Sequence, residues 1–439
     1  GPNERVEKDQ TEEGERRVGL VDRHAKNADQ AAEKKINEAP AGGDAAFRAM
    51  TLRGTHGFFR TGQDAAGRWW LIDPDGAAFF LRCAHGVKPA PPQGDGALPR
   101  DSAAQLRAWG FNSVGVTPGI GCDDGLPFLC AVDFCRGGVI VQIPGVRLPD
   151  VFDPEWPRQA VARAREACGP LAESRALIGW VTDDALAWAQ GSMRGRPSLL
   201  QLCLSLEPAF AAYHAAWEFV LALHGGRLDA LARAWGVEVK NKEVVRELTR
   251  GESGLATRGY LRDHARWTRE FARRYFTTAA AAVRAVDSNH LLFGCRFRET
   301  VGAEVLAECV YPAVDVAMPD WRELPAAGAG SLHPFLAGEV CWVHEEFLRT
   351  AAGERGRGLT SLERMLRGAR GALERVARHP AVVGYAWGQW QDEPGEQPPF
   401  ARGLLHVNGA EAREHTELLT QFNLRAEDLR RKFSTSSHE

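Results

Sequence analysis

The chain has 439 residues, of which 44% are hydrophobic and 25% are charged. This balance can build a buried core and excludes a disordered, collagen-like or coiled-coil protein. Its 54 Lys and Arg against 57 Asp and Glu leave a formal net charge of −3, so we expect no nucleic-acid partner. The apolar runs fall short of the ~20 residues that span a bilayer, so we also expect no membrane span. What remains is a globular protein of a few modest domains or one large barrel.

Residues 1–45 are polar and end in a breaker at 39–43. We predict a helical or disordered leader there, followed by a barrel domain over 46–439. The start of the sequence shows no apolar signal region, and the nine cysteines include no CxxC pair. These features argue against a disulfide framework and a zinc site. They slightly favour the cytoplasm, with a secreted or periplasmic location open if a signal was removed.

From Phe47 onward, short apolar runs alternate with helical patterns, which is typical of βα units around a parallel sheet. A turn at 73–76 predicts an entry hairpin. The predicted core strands cover 78–84, 112–116, 139–143, 176–182, 290–296, 313–318, 335–341 and 381–387. The predicted helices cover 102–109, 154–168, parts of 199–286, 301–309, 359–378 and 410–432. Eight strands alternating with helices predict an α/β fold, a (β/α)8 TIM barrel.

The connection between the fourth and fifth predicted strands is about 108 residues long, far beyond an ordinary crossover. We therefore predict a helical insertion over about 199–255, with 228–235 and 242–249 as candidate helices. An open doubly wound sheet is the alternative fold. Its usual glycine phosphate loop is not matched by the spacing at 119–125.

Acidic residues follow two of the predicted strands, at the edge where barrel active sites lie. Glu339 ends the seventh strand, where an unpaired carboxylate would be costly to bury. It is a candidate catalytic group, with a structural ion pair to Arg296 as the alternative. Asp183 and Asp184 follow the fourth strand. Because side chains alternate, only one of them can face the barrel mouth, and a helix N-cap is the alternative explanation.

Tryptophan is unusually common, with 13 Trp against five Tyr. Indole rings offer an apolar face to the C–H groups of a pyranose and an N–H to its hydroxyls. Trp342, Trp387 and Trp390 lie near the ends of the seventh and eighth strands. They predict a sugar-binding cleft, although a single Trp is more often a core residue.

Together these strand ends resemble the clan-A glycoside hydrolases, most closely the β-agarase-like branch around families 50 and 42. The resemblance spans about residues 65–425. Its motifs are the hairpin at 67–80 and the segments 109–115, 150–154, 178–184, 287–297, 338–339 and 384–387.

The resemblance implies a retaining mechanism with two carboxylates about 5 to 5.5 Å apart. Glu339 matches the nucleophile, and the acid/base position is occupied by Ala185, which has no proton to donate. An engineered inactivation or a natural pseudoenzyme explains this better than relocation of the acid/base role to Asp184. The Asp184 side chain is one methylene shorter than Glu and lies one position earlier in the chain. The resemblance also carries substrate-binding roles to further residues, namely Arg82, His85, Asn112, Asp183 and Arg296.

The sequence therefore predicts a retaining β-glycoside hydrolase acting on a galactan-like or agarose-like oligosaccharide, inactive as it stands because of Ala185. The alternative is a non-catalytic carbohydrate-binding pseudoglycosidase. No cofactor is implied. A metal-dependent barrel hydrolase is disfavoured because the histidines fall singly, without a His-x-His strand end.

Overall fold

The computed structural model describes residues 46–88, 101–117, 125–143, 146–184, 186, 198–238, 257–297, 301–321, 324–325, 333–341, 361–396 and 401–432. The predicted leader at 1–45, Ala185, Trp342 and the candidate helix at 242–249 lie outside these residues. No described helix combines the length and the apolarity that a bilayer crossing requires.

The chain enters through a three-stranded antiparallel sheet of β1 (Arg60–Gln63), β2 (Trp69–Ile72) and β3 (Ala78–Phe79). Its turn forms because Asp73 Oδ1 accepts hydrogen bonds from the amides of Asp75 and Ala77, both at 2.9 Å. Gly76 supplies the positive φ of 93° that the turn requires. The hairpin predicted from this turn is therefore present.

A curled, seven-stranded parallel sheet forms the centre of the molecule. Its strands are β4 (Leu81–Ala84), β5 (Ser113–Val114), β6 (Phe128–Val132), β9 (Leu177–Thr182), β10 (Leu291–Gly294), β11 (Phe335–Val340) and β12 (Val382–Trp387). The order is β10-β9-β6-β5-β4-β12-β11, with every neighbouring pair parallel. The sheet is a half-barrel, consistent with a TIM-barrel-like α/β domain.

Two predicted core strands differ from the observed ones. The third strand of the sheet is β6 rather than 139–143, which lies in a separate hairpin of β7 (Ile140–Ile143) and β8 (Val146–Pro149). Gln142 of β7 and Arg147 of β8 are exposed, so this half-solvated ribbon does not belong to a sheet covered on both faces. The predicted strand at 313–318 forms only a bridge from Ala317 to Phe335.

Residues 315–317 nevertheless lie between the two edge strands of the sheet. The amides of Asp315 and Val316 donate to Leu292 O of β10, at 2.8 and 3.2 Å. On the other side, the amide of Leu336 in β11 donates to Ala317 O at 2.8 Å. This segment therefore occupies the place of a strand between β10 and β11.

The described helices are α1 (Ser102–Ala108), α2 (Trp156–Cys168), α3 (Leu199–Leu204), α4 (Ala211–Leu223), α5 (Leu228–Trp235), α6 (Arg258–Val286), α7 (Ala303–Val305), α8 (Ser361–Arg378) and α9 (Arg413–Lys432). A π-helical turn, Leu306–Val310, follows α7. Thr257 caps α6 through its hydroxyl, which accepts from the Tyr260 amide. Stacking of Trp156 on Tyr275 packs α2 against α6. Helices α3 to α5 fall within the range predicted for the insertion, whose status as an insertion stays a prediction.

Candidate functional site

A cavity of about 390 Å³ opens at the carboxyl ends of the parallel strands, where barrel enzymes carry their active sites. Its walls come from the ends of β10 and β11, from residues that follow 315–317, and from the connection after β12. The lining residues are Arg296, Phe297, Met318, Pro319, Asp320, Trp321, Gly338, Glu339, Gly388, Gln389, Glu393 and Arg402.

Glu339 is the carboxylate that β11 brings to the cavity. It is the partly exposed residue of a strand whose other members are buried, and its side chain is 29% exposed. Its Oε2 accepts a hydrogen bond from Arg296 Nη1 at 3.1 Å. A Cβ atom at Gly388 would lie 2.9 Å from Glu339 Cγ, so glycine is required there for the carboxylate to keep this position.

Arg296 joins Glu339 to Asp184. Its guanidinium is 5% exposed and places Nη2 at 2.7 Å from Asp184 Oδ1, with a second contact to Asp184 O at 3.3 Å. Two carboxylates thus balance the buried cation, which would be costly to bury alone. The sequence posed catalysis and ion pairing as alternatives for Glu339, and the structure shows an ion pair at a carboxylate that also lines the cavity.

Asp183 turns into the interior, away from Asp184. It is 4% exposed, and its Oδ1 accepts from the amides of Phe134 and Cys135, at 2.8 and 3.3 Å. Its Oδ2 accepts from Tyr275 OH at 2.6 Å. Burial raises the pKa of Asp183 to about 7, against the opposing hydrogen bond from Tyr275. The two acids therefore diverge, and Asp183 does not line the cavity.

His85 contacts the residue before Glu339 and is 3% exposed. Its Nδ1 accepts from the Val116 amide at 3.0 Å, so its Nε2, at 2.6 Å from Gly338 O, is the donor. The imidazole thus links the ends of β4, β5 and β11. Both ring nitrogens contact backbone, at Val116 and at Gly338 beside Glu339, and the contact of His85 with substrate stays a prediction.

Arg82 and Asn112 do not reach the cavity. The Arg82 guanidinium donates to Gly110 O at 3.0 Å and to Glu427 of α9 at 3.2 Å. Asn112 bridges backbone at the amino end of the sheet, since its Nδ2 donates to Phe80 O and its Oδ1 accepts from the Arg82 amide, both at 2.9 Å. Neither is among the residues that line this cavity, and their contact with substrate stays a prediction.

Trp387 and Trp390 are core residues, exposed by 0% and 2%. Trp387 donates its indole N–H to Arg402 O at 3.0 Å, and Trp390 packs on Trp109 with ring centroids 5.7 Å apart. Strand β12 is covered on both faces, so its aromatic side chains pack against other protein groups and do not line the cavity.

Sequence reasoning missed several lining residues. Trp321 and Asp320 directly follow the predicted strand at 313–318, so the rule that strand ends carry the site could have found them. Gln389, Glu393 and Arg402 belong to the long connection after β12. The loop that covers a barrel mouth is determined by long-range contacts, and no local sequence pattern indicated Arg402.

Among the described residues, one group of side chains approaches the geometry of a metal site, formed by Asp133, Cys135 and Asp183. Its donors are already engaged, because Asp183 accepts three hydrogen bonds and Asp133 pairs with Arg147 at 3.2 Å. Burial also raises the pKa of the Cys135 thiol far above its ordinary value, which opposes the thiolate that a metal requires. The arrangement does not favour a cation.

No family model and no curated protein matches the chain. Solved structures do. An exo-β-agarase superimposes with a TM-score of 0.62 and 16% identity, over 91% of this chain and 70% of that one. The agarase AgWH50C gives 0.60 and 17%, over 91% and 70%, and the protein BpGH50 gives 0.60 and 17%, over 86% and 84%. The predicted resemblance is therefore confirmed for the fold: this chain shares the fold of these agarase structures.

Proposed function

We propose that the chain is a retaining β-glycoside hydrolase in its catalytic design, built on a complete (β/α)8 barrel whose sixth strand is the 315–317 segment. Its cavity binds a β-linked, galactan-like or agarose-like oligosaccharide, and Glu339 holds the place of the nucleophile. The observation that carries the proposal is Glu339 itself, a partly exposed carboxylate at the carboxyl end of β11 that faces the cavity and is oriented by Arg296.

In this design the Glu339 carboxylate attacks the anomeric carbon as the glycosidic bond breaks, forming a glycosyl ester. Arg296 orients the carboxylate for this attack, because its Nη1 binds one oxygen of the group. Departure of the leaving oxygen then needs a proton from a second group on the opposite side of the sugar.

In this chain the position of that proton donor is occupied by a residue that cannot supply a proton. Residue 185, where the resemblance places the acid/base, is alanine. The neighbouring Asp184 is held as an ion pair by Arg296, 2.7 Å away, and an ionised carboxylate cannot donate a proton. We therefore propose that this chain forms the glycosyl ester only with activated glycosides and turns over ordinary substrates very slowly.

A non-catalytic carbohydrate-binding protein is the second candidate. The same ion pairs favour this candidate. Arg296 bridges Asp184 and Glu339 and stabilises both as charged carboxylates, whereas a working pair of catalytic carboxyl groups holds one protonated and the other ionised.

The decisive experiment uses a dinitrophenyl β-galactoside and an activated fluoro-galactoside. We expect the fluoro-sugar to add one glycosyl mass to Glu339, seen by peptide mass spectrometry. We also expect azide to accelerate dinitrophenol release, since azide needs no general base. Replacing Ala185 by Glu should raise the rate on poor leaving groups by about 10²-fold or more.

The Glu339→Gln variant is the matched control and should lose both labelling and azide rescue. Sugar binding without any label at Glu339, and no gain in Ala185→Glu, would refute the hydrolase design and leave the binding protein. A chain that binds no glycoside at all would refute both candidates.

A further inference from the structure

Strand β11 is irregular at the point where it carries Glu339. Its Ala337 and Val340 pair with residues 385 and 387 of β12. Between these two pairs β11 has two residues, Gly338 and Glu339, whereas β12 has one. Two residues opposite one make a β-bulge, which interrupts the ladder and re-aims a side chain. The direction of the Glu339 side chain therefore depends on the conformation of this bulge.

His85, which follows β4, reaches the bulge from two strands away. Strand β12 lies between β4 and β11 in the sheet, yet His85 Nε2 lies 2.6 Å from Gly338 O. The nitrogen donates this hydrogen bond, because Nδ1 accepts from the Val116 amide at 3.0 Å. An imidazole with one donating and one accepting nitrogen is neutral. A side chain thus binds the backbone carbonyl at the interrupted part of the ladder.

The imidazole is itself held in place by its neighbours. The His85 amide donates to Trp387 O at 2.9 Å, and the amide of Gly86 donates to Val116 O at 2.9 Å. A Cβ atom at Gly115 would lie 2.5 Å from Nδ1, so the backbone of β5 packs directly against the ring. The donor therefore has a fixed position before any sugar binds, as the support of a functional group requires.

The other side of the bulge packs against the residues that surround the Glu339 ion pair. A Cβ atom at Gly338 would lie 3.2 Å from Met318 Cβ and 3.4 Å from Arg296 Cγ. Arg296 Nη1 in turn binds Glu339 Oε2 at 3.1 Å. A shift of the Gly338 backbone would therefore change the position of the Glu339 carboxylate relative to Arg296 and to the cavity.

We propose that His85 is a positioning residue for Glu339. Its neutral imidazole donates to Gly338 O, fixes the bulge at 338–339 and so keeps the carboxylate facing the cavity beside Arg296. His85 acts through the backbone of β11 and not on the sugar. The inference rests on the proposed function, since it assigns a support to the group that serves there as the nucleophile.

Two substitutions of His85 separate its two hydrogen bonds. The amide of Asn reaches about as far from the backbone as Nδ1, so His85→Asn keeps an acceptor for Val116 and loses the donor to Gly338 O. The amide of Gln reaches about as far as Nε2, so His85→Gln keeps that donor. His290→Asn is the control for loss of a buried imidazole. His290 is 1% exposed and contacts Asp287 and Ser174 O at the amino end of β10.

The test measures how fast an activated fluoro-galactoside labels Glu339 as its concentration is raised. We expect His85→Asn to lower the limiting rate about 10²-fold, because a displacement of about 1 Å has an effect of this size. The half-saturating concentration should stay within about threefold. His85→Gln should recover most of the limiting rate. His290→Asn should lower stability, measured by urea unfolding, and leave the labelling rate unchanged.

The tautomer gives a readout that does not depend on labelling. The long-range ¹H–¹⁵N NMR spectrum of the unmodified chain at pH 7 should show His85 as a neutral imidazole with its proton on Nε2. The signal is assigned by its absence from the His85→Gln spectrum. A proton on Nδ1, or an imidazolium, would contradict the donor role of Nε2 towards Gly338 O.

The labelling outcomes separate this inference from the proposed function. If His85→Asn is labelled as fast as the unmodified chain, the positioning role is wrong and the proposed function stands. A raised half-saturating concentration with an unchanged limiting rate would assign His85 to sugar contact and overturn the inference. Equal slowing in His290→Asn would overturn it too, because the effect would then be one of stability. If the unmodified chain is never labelled at Glu339, both proposals fail.

Discussion

Asp183 combines an unfavourable backbone with a buried acid. At φ 52° it is the described non-glycine residue in the left-handed region, a conformation that costs on the order of 1–3 kcal/mol. Three hydrogen bonds, from Phe134, Cys135 and Tyr275, hold its carboxylate and so maintain the turn. The next residue, Asp184, contacts Arg296. The strained turn therefore directly precedes the residue that pairs with Arg296.

Asp183 also predicts a pH dependence of stability. Burial raises its pKa to about 7, above the ordinary value of about 3.9 for the unfolded chain. Between these two values the folded chain keeps a proton that the unfolded chain has lost. The free energy of unfolding contributed by this group therefore falls as the pH rises from about 4 to 7, and levels off above 7.

The Asp183→Asn variant isolates this effect. An amide can accept from Phe134 and Cys135 and donate to the Tyr275 oxygen, while Tyr275 OH retains Thr182 O at 3.1 Å. Asn thus imitates the protonated acid without titrating. Urea unfolding from pH 5 to 8 should show a smaller fall in unfolding free energy for the variant than for the unmodified chain. Identical slopes would contradict the assignment of the titration to Asp183.

At the scale of elements, Arg430 anchors helix α9 to the amino end of the sheet. Arg430 is 1% exposed and donates to the carbonyls of Ala377, His379 and Pro380, at 3.2, 2.8 and 3.2 Å, and to Trp69 O. Its guanidinium lies over Trp70, 4.9 Å from the ring centroid. Burial lowers its pKa to about 9. One cation therefore joins α9, the end of α8 and the entry hairpin.

Arg430→Met should consequently lower the free energy of unfolding by about 3–5 kcal/mol, because four carbonyls lose their hydrogen bonds to a buried guanidinium. Arg431→Met is the matched control. Arg431 is exposed and lies over the same indole, 4.8 Å from its centroid, so its loss should cost less than about 1 kcal/mol. Denaturant unfolding of both variants gives the comparison. Equal losses would show that the carbonyl contacts of Arg430 contribute little.

For the molecule as a whole, the sequence predicted what depends on local pattern. Strands β9 and β12 are fully buried apolar runs, and Glu339 could be placed at a strand end because that position follows from chain order. The ribbon β7–β8 has a strand-like sequence too, and its separation from the sheet depends on contacts that periodicity does not encode. The position of Arg402 at the cavity and the burial of Trp387 likewise depend on long-range contacts.

Long-range strand pairing also makes the sheet one folding unit. Strand β12 lies between β4 and β11, with Gly384 opposite Leu81 and Tyr385 opposite Arg82. Truncation after residue 380 would leave both neighbours with unpaired edges and uncover the apolar residues that β12 contacts. We expect the truncated chain to lose its cooperative urea transition and to bind a hydrophobic dye, as a collapsed state does. Truncation after Lys432 keeps every described element and should retain the transition. A cooperative transition in the shorter chain would mean that the first six strands of the sheet fold without β12.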